Sequence, residues 1–353
     1  MSRSGLAALL ITPGPDLHYL TGYDAVPLER LTCLVLRGEG DPVLVVPALE
    51  EAAALASPVP DLGLAVATWQ ETADPFALVA SMVPAAGAVG LDDRMWAEKV
   101  LHLRRAMPAV EQRLAGEVLR PLRMIKSPGE VASLTMAGAA IDRVHAEVPG
   151  LLRVGRTERE VARDLAELIV SVGHARVDFV IVASGPNGAS PHHEVSDRVI
   201  AAGDVVVVDI GGTMPDGYCS DSTRTYAVAE LSPEALASYR VLEAAQETAV
   251  AHVHPGVTAE SIDRAAREVI TSEGYGELFI HRTGHGIGLE THEDPYIVSG
   301  NPLVIEAGMA FSIEPGIYQP GERGARIEDI VVCTAEGVQR LNHRPRHLVV
   351  AGG

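Results

Sequence analysis

Residues 205–225 read Val-Val-Val-Val-Asp-Ile-Gly-Gly-Thr-Met-Pro-Asp-Gly-Tyr-Cys-Ser-Asp-Ser-Thr-Arg-Thr, and this stretch decides the fold of the second half of the chain. The four valines predict a buried strand. Asp209 at its end needs a partner, because an unpaired buried charge is very costly. Since Asp216-Gly217 is a turn dipeptide, Asp209 and Asp221 are expected on adjacent strands. Two structural alternatives stay open: Asp209 capping the following turn, and Asp221 forming a salt bridge with Arg224.

A glycine-rich segment with three histidines lies further along the chain. It reads His-Arg-Thr-Gly-His-Gly-Ile-Gly from His281 and continues to His292. The spacing of His281 and His285 would suit a zinc pair on a helix. The three glycines argue against a helix and allow the backbone to approach another group closely. Three histidines within twelve residues on such a loop favour a functional site over structural histidines.

Two later segments place acidic residues in or beside predicted strands. A strand over residues 309–313 leads into Glu314-Pro315-Gly316, where the chain turns and Glu314 faces away from the buried side chains. A second strand is predicted over residues 326–332, with Arg326 and Glu328 on one face and Asp329 on the other. The structural alternative for this strand is an exposed polar face.

Together these segments supply four carboxylates and one imidazole at strand ends and turns. An oxygen-rich set with one histidine suits a pair of divalent metals, and Mn²⁺ is the first choice, with Co²⁺ or Zn²⁺ as alternatives. Two such metals share carboxylates and activate a water held between them. The pattern therefore predicts a two-metal hydrolase.

The sequence around these segments predicts an α+β domain. Ser127-Pro128-Gly129-Glu130 and Thr157 to Glu160 are capping boxes that begin helices over residues 128–148 and 157–172. Strands are predicted over residues 177–183 and 205–210, and helices over residues 233–252 and 258–273. Helices and strands occur in blocks, which is typical of α+β folds.

The first third of the chain alternates short apolar runs with turns and predicts a smaller α/β domain. Its first strand is expected over residues 6–11, a hairpin over residues 31–46, and a helix over residues 101–120. We place the boundary so that the domains span residues 1–122 and 123–353, in keeping with a length of 353 residues.

Composition excludes several classes of function. The formal net charge of −19 disfavours binding to nucleic acid or to anionic membranes. The sequence contains no run of 18 or more apolar residues, so no membrane span is predicted. Three widely spaced cysteines do not form a disulfide pattern, which favours free thiols in the cytoplasm.

From Ile125-Lys126-Ser127-Pro128-Gly129-Glu130 to Val332, the chain resembles the pita-bread metallopeptidases, which include Xaa-Pro dipeptidases (prolidases), Xaa-Pro aminopeptidases, methionine aminopeptidases and the metal-free creatinases. The five metal-ligand segments occur in family order. The first domain resembles the creatinase/prolidase amino-terminal domain, which methionine aminopeptidases generally lack. The resemblance implies a pita-bread catalytic domain and a homodimer.

The resemblance also assigns site residues. It implies that the metal ligands are Asp209, Asp221, His285, Glu314 and Glu328. His192 and His292 are expected to act in catalysis together with Glu314. His281 and Arg326 are expected near the substrate.

The expected reaction is hydrolysis of the Xaa-Pro bond in dipeptides by a hydroxide held between the metals. A dipeptidase must bind a free carboxylate, for which arginine is well suited. The loop over residues 19–30 resembles loops of short bacterial dipeptidases that reach an active site. The resemblance implies that Arg30 binds the substrate carboxylate and Asp24 the substrate amine. The alternative is that both residues are exposed loop charges. Three other functions stay open: an Xaa-Pro aminopeptidase of longer peptides, a creatinase-type C–N hydrolase, and a non-catalytic binding module.

Overall fold

The structure is a computed structural model that describes residues 1–351, without the side chain of Ser2. The chain divides into two compact units, the first spanning Met1–Arg123 and the second beginning at Met124. Within the described residues, no helix has both the length and the apolar character needed to cross a membrane.

The first unit contains one six-stranded mixed sheet with the strand order β4-β3-β2-β1-β5-β6. Apolar side chains fill both faces of this sheet. Its strands are β1 (Leu6–Ile11), β2 (Cys33–Arg37), β3 (Val43–Pro47), β4 (Ala65–Trp69), β5 (Gly87–Leu91) and β6 (Val110–Leu114). Its helices are α1 (Pro15–Thr21), α2 (Glu51–Leu55), α3 (Pro75–Met82), α4 (Ala97–Ala106) and α5 (Gly116–Met124), with 3-10 turns at Ser2–Ser4 and Ala48–Glu50. The predicted hairpin is the antiparallel pair β2–β3.

The prediction of one helix over residues 101–120 is wrong. Helix α4 ends at Ala106, and the chain then forms strand β6 before helix α5 begins. The helix stops because Pro108 disfavours the helical conformation in the residue before it. Residues 110–114 then pair in parallel with β5, a long-range contact that no local pattern in the sequence indicates.

Over residues 124–351, the second unit contains four helices and three sheets. The helices are α6 (Pro128–Leu151), α7 (Glu158–Ser171), α8 (Pro233–Ala251) and α9 (Ala259–Ser272), with 3-10 turns at Gly185–Ala189 and Gly276–Leu278. The strands are β7 (Arg176–Ser184), β8 (Val205–Thr213), β9 (Cys219–Val228), β10 (Gly284–Gly286), β11 (Glu293–Ile297), β12 (Ala310–Ile313), β13 (Gly316–Gln319), β14 (Arg323–Arg326), β15 (Asp329–Thr334), β16 (Gly337–Arg340) and β17 (Val349–Ala351). The predicted α+β class is confirmed.

Each of two helix pairs packs against one sheet. Helices α6 and α7 bury their apolar faces against the sheet ordered β17-β9-β8-β7. Helices α8 and α9 pack against the sheet ordered β11-β10-β12-β15-β16 and against the hairpin β13–β14. Both predicted capping boxes are present, with Ser127 and Thr157 each accepting a hydrogen bond from the backbone three residues later.

Two strand predictions need correction. Asp209 lies inside β8, because the glycines after it continue the strand to Thr213. The strand expected over residues 326–332 is broken: β14 ends at Arg326 and β15 begins at Asp329. The break occurs because the backbone of Glu328 donates its hydrogen bond to the carbonyl of Thr223 on β9.

Residues near the end of the described chain form hydrogen bonds with buried groups of the second unit. Asp329 is fully buried and accepts hydrogen bonds from Arg224, Arg340 and Arg346. Arg224 also donates to the carbonyl of Glu328. Strand β17 pairs in parallel with β9, so the C-terminal segment supports the strands that carry the acidic residues.

Candidate metal centre and active site

Five side chains in or beside the two larger sheets of the second unit meet at one place. Strands β8 and β9 pair so that Gly211 faces Asp221 and Asp209 faces Thr223. Strand β10 supplies His285, while Glu314 directly follows β12 and Glu328 directly precedes β15. The site therefore forms where the β8–β9 ladder meets the ends of β10, β12 and β15.

The ligand atoms of these residues lie within 4.8 Å of one another in overlapping groups. One group contains Asp209, Asp221 and Glu328, and a second contains His285, Glu314 and Glu328. His285 Nε2 lies 3.1 Å from Glu314 Oε1 and 3.7 Å from Asp221 Oδ2. This spacing matches the predicted ligand set, with carboxylates placed where two cations could share them.

Burial and mutual repulsion disfavour the charged form of several carboxylates in this cluster. Burial, followed by repulsion from neighbouring carboxylates, raises the pKa of Asp221 and of Glu328 well above the usual range. Burial also raises the pKa of Asp209, although Arg326 opposes the shift. For Glu314 burial acts in the same direction, but the hydrogen bond and charge of His285 outweigh it and lower its pKa to about 2. A divalent cation would relieve the repulsion among these groups.

Two oxygen atoms of the cluster identify where cations fit. Asp209 Oδ1 and Glu328 Oε1 are buried and have no hydrogen-bond partner in the described part of the chain. Buried carboxylate oxygens are normally paired or coordinate metal. The donor set of carboxylates and one imidazole is also the chemistry that divalent metals prefer. The residues therefore fit a two-metal centre.

Arg326 is the buried cation that holds this cluster together. It donates to Asp209 Oδ2, to Thr223 Oγ1 at 3.1 Å and to the Tyr318 hydroxyl at 2.8 Å. Thr223 in turn donates to Glu328 Oε2 at 2.8 Å. A fourth bond runs from Arg326 to the carbonyl of Pro191 at 3.2 Å. Arg326 thus orients two carboxylates of the cluster, Asp209 directly and Glu328 through Thr223.

The histidines around the centre differ in their exposure and partners. His292 is exposed, its ring centroid lies 4.0 Å from that of His285, and desolvation followed by the charge of His285 lowers its pKa to about 4. His281 lies 2.8 Å from the Tyr318 hydroxyl and 2.7 Å from the carbonyl of Arg282. Since a carbonyl only accepts, His281 carries its proton on Nδ1 and accepts from Tyr318 at Nε2.

His192 and its neighbour His193 have separate roles. His192 is exposed, and its charge is close enough to lower the pKa of both His281 and His292. His193 turns away and donates to Glu158 Oε2 at 2.8 Å. Of the two, His192 is therefore the imidazole available to the site.

Both structural alternatives for the aspartates are wrong. Asp209 does not cap a turn, because it sits within a nine-residue strand. Arg224 pairs with Asp329 and not with Asp221.

The two residues predicted on the first-unit loop are in polar surroundings. Arg30 pairs with Glu29 at 2.7 Å and with Glu71 at 2.6 Å. Asp24 is exposed. Their contact with substrate stays a prediction.

Sequence reasoning missed Thr223, Tyr318 and Glu158. Thr223 had a signal, because it lies two residues after Asp221 on the same face of a strand. Tyr318 contacts Arg326 across the β13–β14 hairpin and His281 much earlier in the chain. Glu158 contacts Ser184 and Ser196. No residue pattern in the sequence marks these side-chain contacts.

Comparison with known proteins agrees with this geometry. Residues 132–335 match metallopeptidase family M24, and residues 1–125 match the creatinase/prolidase N-terminal domain. The chain is 54% identical over 348 residues to a protein of Mycobacterium tuberculosis named probable dipeptidase PepE, covering 98% of this chain and 92% of that protein. It is 38% identical over 345 residues to the Xaa-Pro dipeptidase of Lactobacillus helveticus, with coverage of 95% and 92%.

A solved structure gives the same result for the fold. The crystal structure of dipeptidase PepE from Mycobacterium ulcerans superposes with a TM-score of 0.96 at 54% identity, covering 100% of this chain and 95% of that one.

The fold and the buried carboxylate–histidine centre define a metal-dependent hydrolase. This chain belongs to metallopeptidase family M24 and carries a creatinase/prolidase N-terminal domain. The predicted resemblance to the pita-bread metallopeptidases is confirmed, and the chain is a metallopeptidase that uses divalent metal ions.

Proposed function

We propose that this metallopeptidase hydrolyses the Xaa-Pro bond of dipeptides. The observation that carries the proposal is the buried cluster in which Asp209 Oδ1 and Glu328 Oε1 have no hydrogen-bond partner among residues 1–351. A creatinase-type or non-catalytic protein has no need for five intact ligands around such a space. The dipeptidase names of two relatives, at 54% and 38% identity, support the substrate class.

In this proposal Asp209, Asp221, His285, Glu314 and Glu328 would hold two divalent ions. When bound, the ions supply an acidified water and a Lewis acid for the scissile carbonyl. Mn²⁺ is the proposed metal, because the site is rich in oxygen ligands with a single imidazole.

Glu314 is the proposed proton carrier. It directly follows strand β12 at the carboxylate–histidine cluster, and we assign it to accept a proton from the attacking water. The proton must reach the proline nitrogen, which leaves as a secondary amine only after protonation. His192 or His292 is proposed to stabilise the negative charge that develops on the carbonyl oxygen.

Substrate binding is assigned to four residues. His281 and Arg326 are proposed to lie beside the substrate. Because protein partners engage their polar atoms, they would contribute shape and charge more than new hydrogen bonds. Arg30 is proposed to bind the substrate carboxylate and Asp24 the substrate amine. Arg30 would exchange its exposed carboxylate partners for the substrate, a small cost because exposed ion pairs contribute little.

The quaternary and cellular setting completes the proposal. We place the enzyme in a reducing cytoplasm as a homodimer. All three cysteines are free and buried, which fits a reducing compartment.

The deciding experiment compares proline release from Ala-Pro with cleavage of Ala-Pro-Ala by metal-stripped enzyme, with and without added Mn²⁺. We expect Mn²⁺-dependent hydrolysis of the dipeptide alone, and a loss of at least about 100-fold in kcat for Glu314→Gln. Metal content of that variant must be measured, since Glu314 is also a proposed ligand. Preference for the tripeptide would make the protein an aminopeptidase, and hydrolysis of neither by metal-loaded enzyme would overturn the substrate assignment.

A further inference from the structure

Glu158 is a buried carboxylate that is not among the metal-centre residues. It is the first residue of helix α7, directly after the capping residue Thr157, and its side chain is fully buried. Burial raises the pKa of a carboxyl, yet hydrogen bonds from Ser196, Ser184 and His193 outweigh burial and lower the pKa of Glu158 to about 2. Glu158 is therefore a charged group held entirely by hydrogen bonds.

The donors to Glu158 all come from one short stretch of chain. Oε1 accepts from the backbone N–H of Ser184 at 2.8 Å and from its hydroxyl at 2.7 Å. Oε2 accepts from His193 Nε2 at 2.8 Å, and from the N–H and hydroxyl of Ser196 at 3.2 and 2.6 Å. Asn187 Nδ2 donates to both oxygens, at 3.0 and 3.2 Å.

These donors lie on both sides of His192 in the sequence, from Ser184 to Ser196. We call residues 185–196 the His192 loop. The opposite side of the loop is held by Arg326, which donates a hydrogen bond to the carbonyl of Pro191. Gly188 also approaches Gly324 of β14 so closely that neither has room for a side chain. The loop therefore lies between two charged anchors, Glu158 on one side and Arg326 on the other.

We propose that Glu158 is a positioning residue that fixes the His192 loop, and so sets where the His192 imidazole meets the substrate. This inference rests on the proposed catalytic role of His192. Glu158 does not touch substrate or metal in this proposal; it acts through His193 and the two serines.

The carboxylate is required because every one of its partners donates. An amide at residue 158 would present an NH₂ group to the N–H of either Ser184 or Ser196, whichever way it turned. A buried backbone donor would then lose its acceptor. Glu158→Gln is therefore a substitution of nearly equal size that loosens the loop.

The activity test uses Glu158→Gln beside Glu167→Gln, which changes an exposed glutamate on the same helix. We expect kcat of Glu158→Gln to fall by about 10- to 100-fold with KM changed less than about threefold, because loss of supporting contacts displaces a catalytic group. Glu167→Gln should match wild type. His193→Gln keeps a donor for Glu158 and should retain more activity than His193→Ala.

A double-mutant cycle with His192→Ala tests whether the effect passes through His192. In the His192→Ala background, adding Glu158→Gln should cost less than about twofold, since coupled residues are not additive. If Glu158→Gln lowers activity by the same factor with and without His192, the proposal is overturned.

Hydrogen exchange separates this inference from the proposed function. Peptides covering residues 185–196 should exchange faster in Glu158→Gln, while those of helix α7 and those of Glu167→Gln stay unchanged. Unchanged exchange in the His192 loop overturns the positioning role, even if the enzyme proves to be a dipeptidase. Faster exchange in a protein that cleaves neither Ala-Pro nor Ala-Pro-Ala would keep the positioning of the loop and refute the substrate.

Discussion

His145 on helix α6 is a fully buried histidine behind the strand that carries Asp221. Its Nε2–H donates to the carbonyl of Ser222 at 3.1 Å, and Nδ1 lies 3.0 Å from the Tyr226 hydroxyl. Burial, followed by the charge of Arg224, lowers its pKa to about 3. The ring is thus a neutral hydrogen-bonding spacer between α6 and β9.

The lowered pKa of His145 predicts that the protein is less stable in acid. The pKa of His145 is lower folded than unfolded, so its contribution is complete above about pH 6.5 and is lost as pH falls toward 3. Between pH 7 and pH 5 we expect a loss of about 2 kcal/mol from this group. The charges that act on it are those of Arg224, Arg344 and Asp329.

The measurement is urea unfolding at both pH values for wild type and His145→Gln. The variant should be less stable at pH 7, because it disturbs two buried hydrogen bonds, but its stability should change less between the two pH values. Equal pH dependence in the two proteins would show that folding does not lower the pKa of His145.

At the scale of elements, the β8–β9 ladder needs glycine where it brings Asp209 and Asp221 together. Gly211 pairs with Asp221, and a Cβ at residue 211 would lie 2.4 Å from the Phe179 ring and 2.6 Å from the Ser220 carbonyl. The close packing of three strands is therefore possible only without a side chain here.

We expect Gly211→Ala to lower the free energy of unfolding by about 1–3 kcal/mol, as overpacked interiors do. It should also weaken metal binding, because β9 must move beside Asp221. Unfolding in urea and titration with Mn²⁺ measure the two effects. The matched control is Gly150→Ala near the end of α6, where nothing lies within 4 Å of the added carbon; equal effects at both positions would refute the packing argument.

The same ladder shows what sequence can predict. Four valines, the Asp-Gly turn and the two capping boxes are local signals, and each gave its element nearly in full. The break between Arg326 and Asp329 depends on a hydrogen bond to Thr223, about a hundred residues earlier. Likewise β6 exists only because β5 is beside it. A single sequence shows local signals for strands, turns and helix caps, but it does not show which distant segments pair.

For the whole molecule, the balance of charge favours bound cations. The chain carries a formal net charge of −19. Within the second unit, four clustered carboxylates face one buried arginine, Arg326. Occupying the centre with divalent ions would offset this repulsion and stabilise the folded state over the unfolded one.

Metal removal should therefore lower stability as well as activity. At a free Mn²⁺ concentration of about 100 times the dissociation constant, the folded protein should gain about 2.7 kcal/mol for each site filled. Urea unfolding of chelator-treated protein, with and without Mn²⁺, gives the difference. Asp221→Asn, which loses a proposed ligand, should show a much smaller gain, and a wild-type protein indifferent to Mn²⁺ would argue against a metal centre.

The three arginines around Asp329 have a consequence for how the enzyme is made. The ribosome adds Arg340 and Arg346 after Asp329, and it adds strand β17 long after β9, the strand with which β17 pairs. A nascent chain halted before residue 346 holds Asp329 with part of its counter-charge missing and β9 with an open edge. We therefore expect chains halted before strand β17 to be inactive, so that peptidase activity begins only after β17 has been made.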